Sequence, residues 1–386
     1  MKTAGNNRIL LYSHDSCGLG HLRRSLAIST VFQKDEVALI SGSPVASDAA
    51  GECGNAAVTV LPKVRKIRND SYCSADPTIN SCTIFDVRSQ LILNRVKEFS
   101  PDMLIVDKAP LGLMGELIPT LEWLKSGNCE VVLGLRDILD EPKTVKNEWA
   151  DQCVQNALEN VYDRIWIYGC EAMYPSCREY GFSQQMRAKT VYTGYVVGSS
   201  PVQLNTEPHS VVVNDKKHPK MLVMAGGGED GQLLFENTLE LVKRNPTWLN
   251  TTILTGPFYH NSTYVAETAK QLGVTFVEYS TDTSSLIDAA DIVLCMGGYN
   301  TLCEVLCRNK PCLVVPRDFP RKEQVYRAKL FSQFAGLDYI LPSDLTPDLL
   351  EQKILAGLQA RPAQCVIPFN GLMNIRQELE RMGYGK

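Results

Sequence analysis

The chain lacks a strong charge of either sign. Its 43 acidic residues against 39 basic ones leave a formal net charge of −4 across 386 residues, so nothing electrostatic points to nucleic acid as a partner. It lacks an apolar run near the ~20 residues that a membrane-spanning helix needs, although peripheral contact with a membrane surface stays open. It lacks a signal-peptide core between Met1 and Leu11. Its 13 cysteines are odd in number and irregularly spaced, and Cys295 and Cys312 fall inside apolar strand patterns. That is not a disulfide framework, so reduced thiols and a cytoplasmic location are expected. Cys303 and Cys307 stand at helical spacing, but no second pair and no nearby histidine completes four metal ligands. Both read as plain buried cysteines. No Asp-x-Asp metal motif occurs, and no repeat with a period of roughly 20–50 residues suggests a solenoid.

What remains is an ordinary globular composition, 44% hydrophobic and 21% charged, on a chain longer than the roughly 250–300 residues of a single core. Short apolar runs alternate with amphipathic segments, twice over. In the first half Arg8–Tyr12, Val37–Ser41, Ala57–Leu61, Met103–Asp107, Glu130–Gly134 and Arg164–Tyr168 read as strands. Gly20–Phe32, Ile84–Glu98 and stretches near Leu113–Lys125 and Lys146–Tyr162 read as helices. Gly198 to Lys220 is polar and without period. The alternation restarts with strands at Met221–Ala225, Thr252–Thr255, Thr275–Tyr279, Ile292–Met296 and Cys312–Val315. Helices are expected near Gly231–Lys243, Ser262–Leu272, Asn300–Arg308, Lys322–Phe334 and Thr346–Ala360, and a last one in Gly371–Tyr384. Such alternation predicts α/β architecture with parallel sheets covered on both faces. We expect two doubly wound Rossmann-like domains facing across a cleft. The boundaries are 1–197, a linker and surface loop at 198–220, 221–370, and a C-terminal helix in 371–386 that packs back on the first domain. Ligands in such sheets sit beyond the carboxyl ends of the strands.

Four segments carry chemistry. In Leu10-Leu-Tyr-Ser-His-Asp-Ser-Cys-Gly-Leu-Gly-His-Leu-Arg-Arg24, Gly18 and Gly20 turn the chain from a strand into a helix that begins about His21. His14, Asp15 and His21 thus gather at a strand's carboxyl end. A helix N-terminus disfavours protonated histidine, and a neutral imidazole can take a proton from a hydroxyl nucleophile. A tight turn with His21 as a cap is the plainer reading. The G-x-G-x-x-G dinucleotide pattern is not met, because Arg23 holds the third glycine position. In Met221-Leu-Val-Met-Ala-Gly-Gly-Gly-Glu-Asp-Gly231, a strand runs into Gly226, Gly227 and Gly228 and then a helix, a turn whose amides can approach a diphosphate. Without the Lys-Ser/Thr of a P-loop, ATP hydrolysis is not expected. In Cys295-Met-Gly-Gly-Tyr-Asn-Thr-Leu-Cys-Glu-Val-Leu-Cys307, Gly297 and Gly298 open a second helix start of this kind. Thr301, Glu304 and Arg308 share one of its faces. Glu304 either accepts hydrogen bonds from ribose hydroxyls or belongs to a solvated face. In Pro316-Arg-Asp-Phe-Pro-Arg-Lys-Glu-Gln-Val-Tyr-Arg327, Glu323 and Gln324 suit sugar hydroxyls and equally suit an ordinary helix start.

Together and in this order, these segments resemble the GT-B glycosyltransferases, notably the branch with the bacterial transferase that adds N-acetylglucosamine to the lipid-linked peptidoglycan precursor. The first segment, with Val106-Asp-Lys-Ala-Pro-Leu-Gly and Leu133-Gly-Leu-Arg-Asp-Ile-Leu-Asp, is also similar to a group of bacterial proteins described only as predicted glycosyltransferases. The resemblance implies a nucleotide-sugar donor on the second domain, usually with uracil as base and hence UDP-linked, and no other cofactor. It places Gly226, Gly227 and Gly228 near the diphosphate, with Gly18 and Gly20 contributing from the first loop. Gly297, Gly298, Asn300 and Thr301 fall at the phosphate-binding helix start and Glu304 at the ribose. Tyr279 and Ser280 fall beside the base, and Glu323 and Gln324 at the donor sugar, where Glu323 replaces a more usual glutamine. It also implies a His21 base supported by Asp107, with Asp15 as the rival base, inversion at the anomeric carbon, and no catalytic metal. The acceptor, a small molecule or a lipid-linked one, falls to the first domain, and the enzyme to the cytoplasm or the inner face of the membrane. The basic run Lys63, Arg65, Lys66 and Arg68 either meets an acidic acceptor or is a solvated loop. A nucleotide-sugar 2-epimerase or hydrolase of the same fold, drawing carboxylates from Asp15, Asp107, Asp137 and Glu171, is an alternative. A non-catalytic nucleotide-sugar-binding protein is another. The oligomeric state is not legible in the sequence.

Overall fold

The computed structural model describes residues 7–14, 20–46, 57–68, 71–198, 210–211, 218–280, 282–360 and 365–384. Asp15, Gly18 and most of the 198–220 stretch lie outside them. The chain divides into two units, Met1–Val202 with Asn370–Lys386, and Gln203–Phe369.

In the first unit, the sheet strands are β1 (Arg8–Ser13), β2 (Glu36–Ser41), β3 (Ala57–Val60), β6 (Met103–Asp107), β7 (Glu130–Arg136), β8 (Arg164–Tyr168) and β9 (Thr190–Tyr192), and β4 (Val64–Arg68) with β5 (Ser71–Ser74) forms a separate hairpin. Among the described residues the sheet order is β3-β2-β1-β6-β7-β8-β9, parallel throughout. β6 is buried along its whole length and β1 from Ile9 onward. Continuous apolar runs of this kind belong to strands covered on both faces. The cover comes from α1 (Gly20–Ser29), α2 (Ile84–Phe99), α3 (Ile118–Leu124), α4 (Pro142–Glu148), α5 (Gln152–Asn160) and the short α6 (Ser176–Glu179) and α7 (Gln184–Ala188). From β1 the chain builds outward to β2 and β3, then returns to β1's other side with β6. That reversal makes the carboxyl ends of β1 and β6 the switch point of the sheet.

The second unit repeats the plan with β10 (Ser210–Val211), β11 (Lys220–Met224), β12 (Asn250–Leu254), β13 (Thr275–Val277), β14 (Ile292–Cys295), β15 (Cys312–Val314) and β16 (Leu337–Tyr339). The order is β10-β13-β12-β11-β14-β15-β16. All neighbours are parallel except the edge pair β10 and β13. Its helices are α8 (Gln232–Arg244), α9 (Ser262–Leu272), α10 (Thr283–Ala289), α11 (Tyr299–Leu306), α12 (Glu323–Phe331) and α13 (Pro347–Gln359). The caps follow the residue chemistry. Thr346 accepts from the Leu349 amide at the start of α13, and Gly273 closes α9 in the left-handed region at φ +69°. Here the switch point lies between β11 and β14, where Met224 pairs with Cys295.

The last helix, α14 (Gly371–Arg381), belongs to the first unit. The Gly371 amide bonds the Tyr195 carbonyl at 3.0 Å, and Asn374 Nδ2 bonds the Thr193 carbonyl at 2.8 Å. A Cβ at Gly371 would stand 2.7 Å from the Tyr195 oxygen, so the approach requires glycine there.

Three local expectations change. The segment near Leu113–Lys125 is a 3₁₀ turn at Leu113–Gly115 followed by α3, because Met114 (φ +52°) and Gly115 (φ +82°) take left-handed backbone. The segment near Lys146–Tyr162 is two helices, because Asp151 turns extended and caps α5 through the amides of Cys153 and Val154. The basic run is not a loop but β4 of the hairpin, paired antiparallel with β5. The chain's short extras (β9, β10, β16 and α10) carry too few residues to show a period. Among the described residues, no helix is long and apolar enough to cross a membrane.

Candidate functional site

At the first switch point the register pairs Tyr12 with Val106, which brings Asp107 level with the end of β1. His21 is the second residue of α1, and Arg24 follows three positions later on the same face. His21 Nδ1 is hydrogen-bonded to Asp107 Oδ2. Arg24 grips the same carboxylate with both arms of its fork, Nε to Oδ1 at 2.9 Å and Nη2 to Oδ2 at 2.6 Å. Arg24 and Asp107 are each only 3% exposed. From below, the Tyr168 ring of β8 lies 5.5 Å from the guanidinium carbon. Gly134 on β7 makes room for that tyrosine, since a Cβ there would fall 1.9 Å from its hydroxyl oxygen. The His14 ring stands 4.6 Å from that of His21, tilted by 47°, and its buried Nδ1 has no hydrogen-bond partner among the described residues.

These contacts set the protonation states. Burial alone would raise the Asp107 pKa, but the Arg24 guanidinium, and then His21, hold it well below the usual carboxylate range. Burial lowers the His21 pKa to about 4, against the pull of Asp107. Burial, with His21 and Lys108 nearby, puts His14 well below the ordinary histidine value too. Near neutral pH, then, both imidazoles are neutral and Asp107 is charged. An ionised carboxylate oxygen can only accept, so the His21 nitrogen facing it carries the proton. The other nitrogen, Nε2, keeps its lone pair. The His21 side chain retains 14% exposure. Lys108 adds a non-glycine residue at φ +69° immediately after Asp107, a conformation that concentrates at functional sites.

Of the other carboxylates considered in this unit, Asp137 is fully buried and committed to structure. It accepts from the Tyr195 hydroxyl at 2.6 Å and from the Ile138 amide at 2.7 Å. Glu171 is exposed. Of the four carboxylates an epimerase or hydrolase would draw on, Asp107 pairs with His21, Asp137 with Tyr195, Glu171 is exposed, and Asp15 lies outside the described residues. Lys63, Arg65 and Lys66 of the basic run are exposed on or beside the hairpin. Gly20 is the first residue of α1.

In the second unit the glycine turns after β11 and β14 converge. Gly226 (φ +69°) and Gly228 (φ +102°) take left-handed backbone. A Cβ at Gly228 would lie 2.5 Å from the Thr255 carbonyl, and one at Gly226 would lie 3.3 Å from Thr301 Oγ1. The Gly227 carbonyl accepts from the Phe258 amide at 3.0 Å. Gly297 is pressed against the first turn of α12, where a Cβ would meet Gln324 at 2.9 Å. Arg327, fully buried, bonds the Gly297 carbonyl at 2.9 Å and sits 5.6 Å from the Tyr299 ring. Gly298 caps α11, with Asn300 and Thr301 in its first turn. Backbone N–H groups at a helix start like this favour an anion.

Glu304 is 8% exposed and accepts from the Thr283 hydroxyl at 3.3 Å, so a solvated face does not describe it. Tyr279 and Ser280 follow β13. Tyr279 is buried, and Ser280 Oγ accepts from the Asp282 amide at 3.1 Å. Glu323 pairs with Arg317, whose other arm reaches Asp230 at 3.1 Å, while Gln324 Oε1 accepts from the Arg317 amide at 3.1 Å. Arg317 thus ties the loop after the glycine triplet to the start of α12. Cys303 is buried, and the Cys307 thiol donates to the Glu304 carbonyl at 3.3 Å. Among the described residues no group of three metal-ligating side chains forms.

Sequence reasoning passed over Arg24, Arg317, Arg327 and the His14–His21 contact. The i, i+3 relation of His21 and Arg24 on one helix face was the available signal for the first. Nothing local marks Arg327, whose partner Gly297 lies 30 residues away, or the reach of Arg317 to Asp230.

Residues 221–365 match the profile of the Glycosyltransferase family 28 C-terminal domain. The chain is 23% identical over 212 residues to a UDP-N-acetylglucosamine–N-acetylmuramyl-(pentapeptide) pyrophosphoryl-undecaprenol N-acetylglucosamine transferase of Acetivibrio thermocellus. That match spans 54% of this chain and 57% of that protein's length. It is 22% identical over 354 residues to an uncharacterized glycosyltransferase of Methanosarcina acetivorans, covering 87% of each. Among solved structures it resembles MurG of Acinetobacter baumannii with a TM-score of 0.61 at 14% identity, covering 97% of this chain and 100% of that one. The chain has the GT-B fold.

Proposed function

We propose that this chain, whose residues 221–365 form a glycosyltransferase family 28 C-terminal domain, transfers a hexosyl or N-acetylhexosaminyl group from a UDP-linked donor to an acceptor hydroxyl, with inversion and without a catalytic metal. The second unit takes the donor. Gly226, Gly227 and Gly228 with the Gly297–Thr301 helix start take the diphosphate, and Glu304 takes the ribose. Tyr279 and Ser280 flank the base, and Gln324 with the Arg317-held Glu323 takes the sugar. The first unit takes the acceptor, a small molecule or a lipid-linked one. A lipid-linked class is supported by the relative whose name carries a pyrophosphoryl-undecaprenol acceptor. A cytoplasmic location, at the inner membrane face for such an acceptor, belongs to the same reading.

The observation that carries the proposal is His21 hydrogen-bonded through Nδ1 to the buried Asp107 at a sheet switch point, with burial lowering the His21 pKa and Arg24 lowering that of Asp107. In the proposed step the acceptor oxygen attacks the anomeric carbon, and its proton passes to His21 Nε2. The carbon–oxygen bond to the β-phosphate breaks, and the diphosphate leaves with the electron pair. Helix-start amides and the buried Arg327 cation offset the growing charge. A positioned base of this kind contributes ~10²–10⁴-fold. The experiment is UDP release from a panel of UDP-sugars in the presence of a panel of small-molecule and lipid-linked acceptors, over a no-acceptor control, by wild type and His21→Ala, with recovered donor analysed for its sugar. Release that falls by that factor in the variant, at unchanged donor affinity, is expected. Full turnover by His21→Ala, or donor recovered as a 2-epimer, overturns the proposal.

A further inference from the structure

Among the described residues, two groups that can carry positive charge bond Asp107, and the geometry chooses between them. Its Oδ2 receives both His21 Nδ1 and Arg24 Nη2, and those two nitrogens stand 3.1 Å apart. That separation is what two donors converging on one oxygen produce. Arg24 also holds Oδ1 through Nε, a bidentate grip that fixes the plane of the carboxylate. Arg24 itself is fixed from a third direction by the Tyr168 ring. We propose that Arg24 is a positioning residue: its guanidinium is the counter-ion of Asp107, so that the carboxylate orients His21 through Nδ1–H without turning it into an imidazolium.

The argument is one of charge. A carboxylate buried to 3% exposure must be balanced by a cation or lose its own charge. A histidine left alone with it would supply that cation by holding its proton, and an imidazolium cannot accept another. Arg24 supplies a permanent charge instead, which leaves His21 as an orienting partner with a free Nε2. The groups facing His21 agree with this assignment. Burial is the largest influence and disfavours its charged form, Asp107 favours it, and Arg24 and Lys108 add to the effect of burial. His14, the remaining titratable neighbour among the described residues, is itself held neutral, chiefly by burial, with Arg88 among the charges that lower its pKa. Tyr168 stays un-ionised through burial.

The inference rests on His21 being the base, and its test needs no acceptor. His21 of the full-length chain is followed by ¹⁵N–¹H correlation of ring-labelled histidine across pH in wild type, Arg24→Met and Arg24→Lys. Wild type is expected to show the Nδ1–H tautomer and to titrate near 4. In Arg24→Met, His21 is the remaining hydrogen-bond donor to Asp107 among the described residues that can carry a charge, and it is expected to titrate at or above the ordinary 6.5. Arg24→Lys, which keeps a charge without the fork, is expected to remain near wild type and to fold if the methionine variant does not. Calorimetry with UDP on the same samples separates the two layers. Wild type failing to bind UDP overturns the functional reading alone. Intact UDP binding with His21 titrating at the same pH in Arg24→Met as in wild type, or tracking Met rather than wild type in Arg24→Lys, overturns the role of Arg24.

Discussion

Replacing Asp107 by Asn keeps the shape of the side chain and removes its charge, and the structure says what each neighbour then does. Arg24 presents N–H donors to both carboxylate oxygens. The amide oxygen turns toward Nε, and the NH₂ group takes the place of Oδ2. There it confronts Arg24 Nη2 as a second donor and can donate only to His21 Nδ1. His21 must then carry its proton on Nε2, the wrong tautomer for a base. Two losses follow. A guanidinium that is 3% exposed loses the charge that both arms of its fork hold, and breaking a buried pair in this way costs about 3–5 kcal/mol out of a total of roughly 5–15. Turnover falls by the ~10²–10⁴ assigned to the base. Hydrogen exchange of β1 and β6 amides in mild urea reads the first loss in this unit specifically, and UDP release reads the second. The double variant Asp107→Asn, Arg24→Met removes the stranded cation. It should regain most of the stability and none of the turnover, a coupling that two independent sites would not show. Wild-type exchange protection and wild-type turnover in Asp107→Asn would refute the reasoning.

Three further outcomes follow from the same coordinates. Because His21 titrates near 4 when folded and near 6.5 when unfolded, the unfolded chain binds the extra proton between those values. Stability is therefore level above 6.5 and falls as pH falls below it, by about 2 kcal/mol between pH 7 and pH 5 from this group. Urea unfolding should show that difference shrinking in His21→Gln. Gly228→Ala places a Cβ 2.5 Å from the Thr255 carbonyl at φ +102°, which displaces the turn and should weaken UDP binding at least ~10-fold, or ~1.4 kcal/mol. Gly273→Ala, also at positive φ but with nothing within 4 Å, should leave UDP binding unchanged. UDP release should persist in EDTA, whereas complete loss restored by Mn²⁺ would contradict helix-start stabilisation of the leaving group.

The sequence was informative where a property repeats along the chain. Two cycles of short apolar runs and amphipathic segments are enough to predict parallel sheets, because strands covered on both faces cannot hide their hydrophobicity. Gly226–Gly228 and Gly297–Gly298 were legible as turns because each run follows an apolar strand and precedes a helical pattern; the conformation of Gly226 and Gly228 and the close packing at Gly228 and Gly297 leave little choice of residue there. His21 was legible because a strand, a glycine turn and a helix start bracket it. The hairpin at Val64–Ser74 was not legible: Arg65, Lys66 and Ile67 are all exposed, so no alternation marks the strand. The break at Asp151 was hidden by helix-compatible neighbours. Arg24 and Arg327 were not legible, since their burial comes with contacts to Asp107 and Gly297, each distant in the chain, and Arg317 was not legible because its reach to Asp230 spans 87 residues. Glu304 was undecidable for the same reason until Thr283 was placed beside it.

The proposal that the second switch point binds a nucleoside diphosphate can be tested without knowing acceptor or sugar, by thermal unfolding of wild type and Glu304→Ala over a range of UDP concentrations. The account predicts that UDP at 100-fold above its Kd stabilises wild type by ~2.7 kcal/mol. It also predicts that removing the Glu304 carboxylate weakens binding by about 1.5–3 kcal/mol, the range for a hydrogen bond to a charged group. A wild-type transition that no nucleoside diphosphate moves would contradict it.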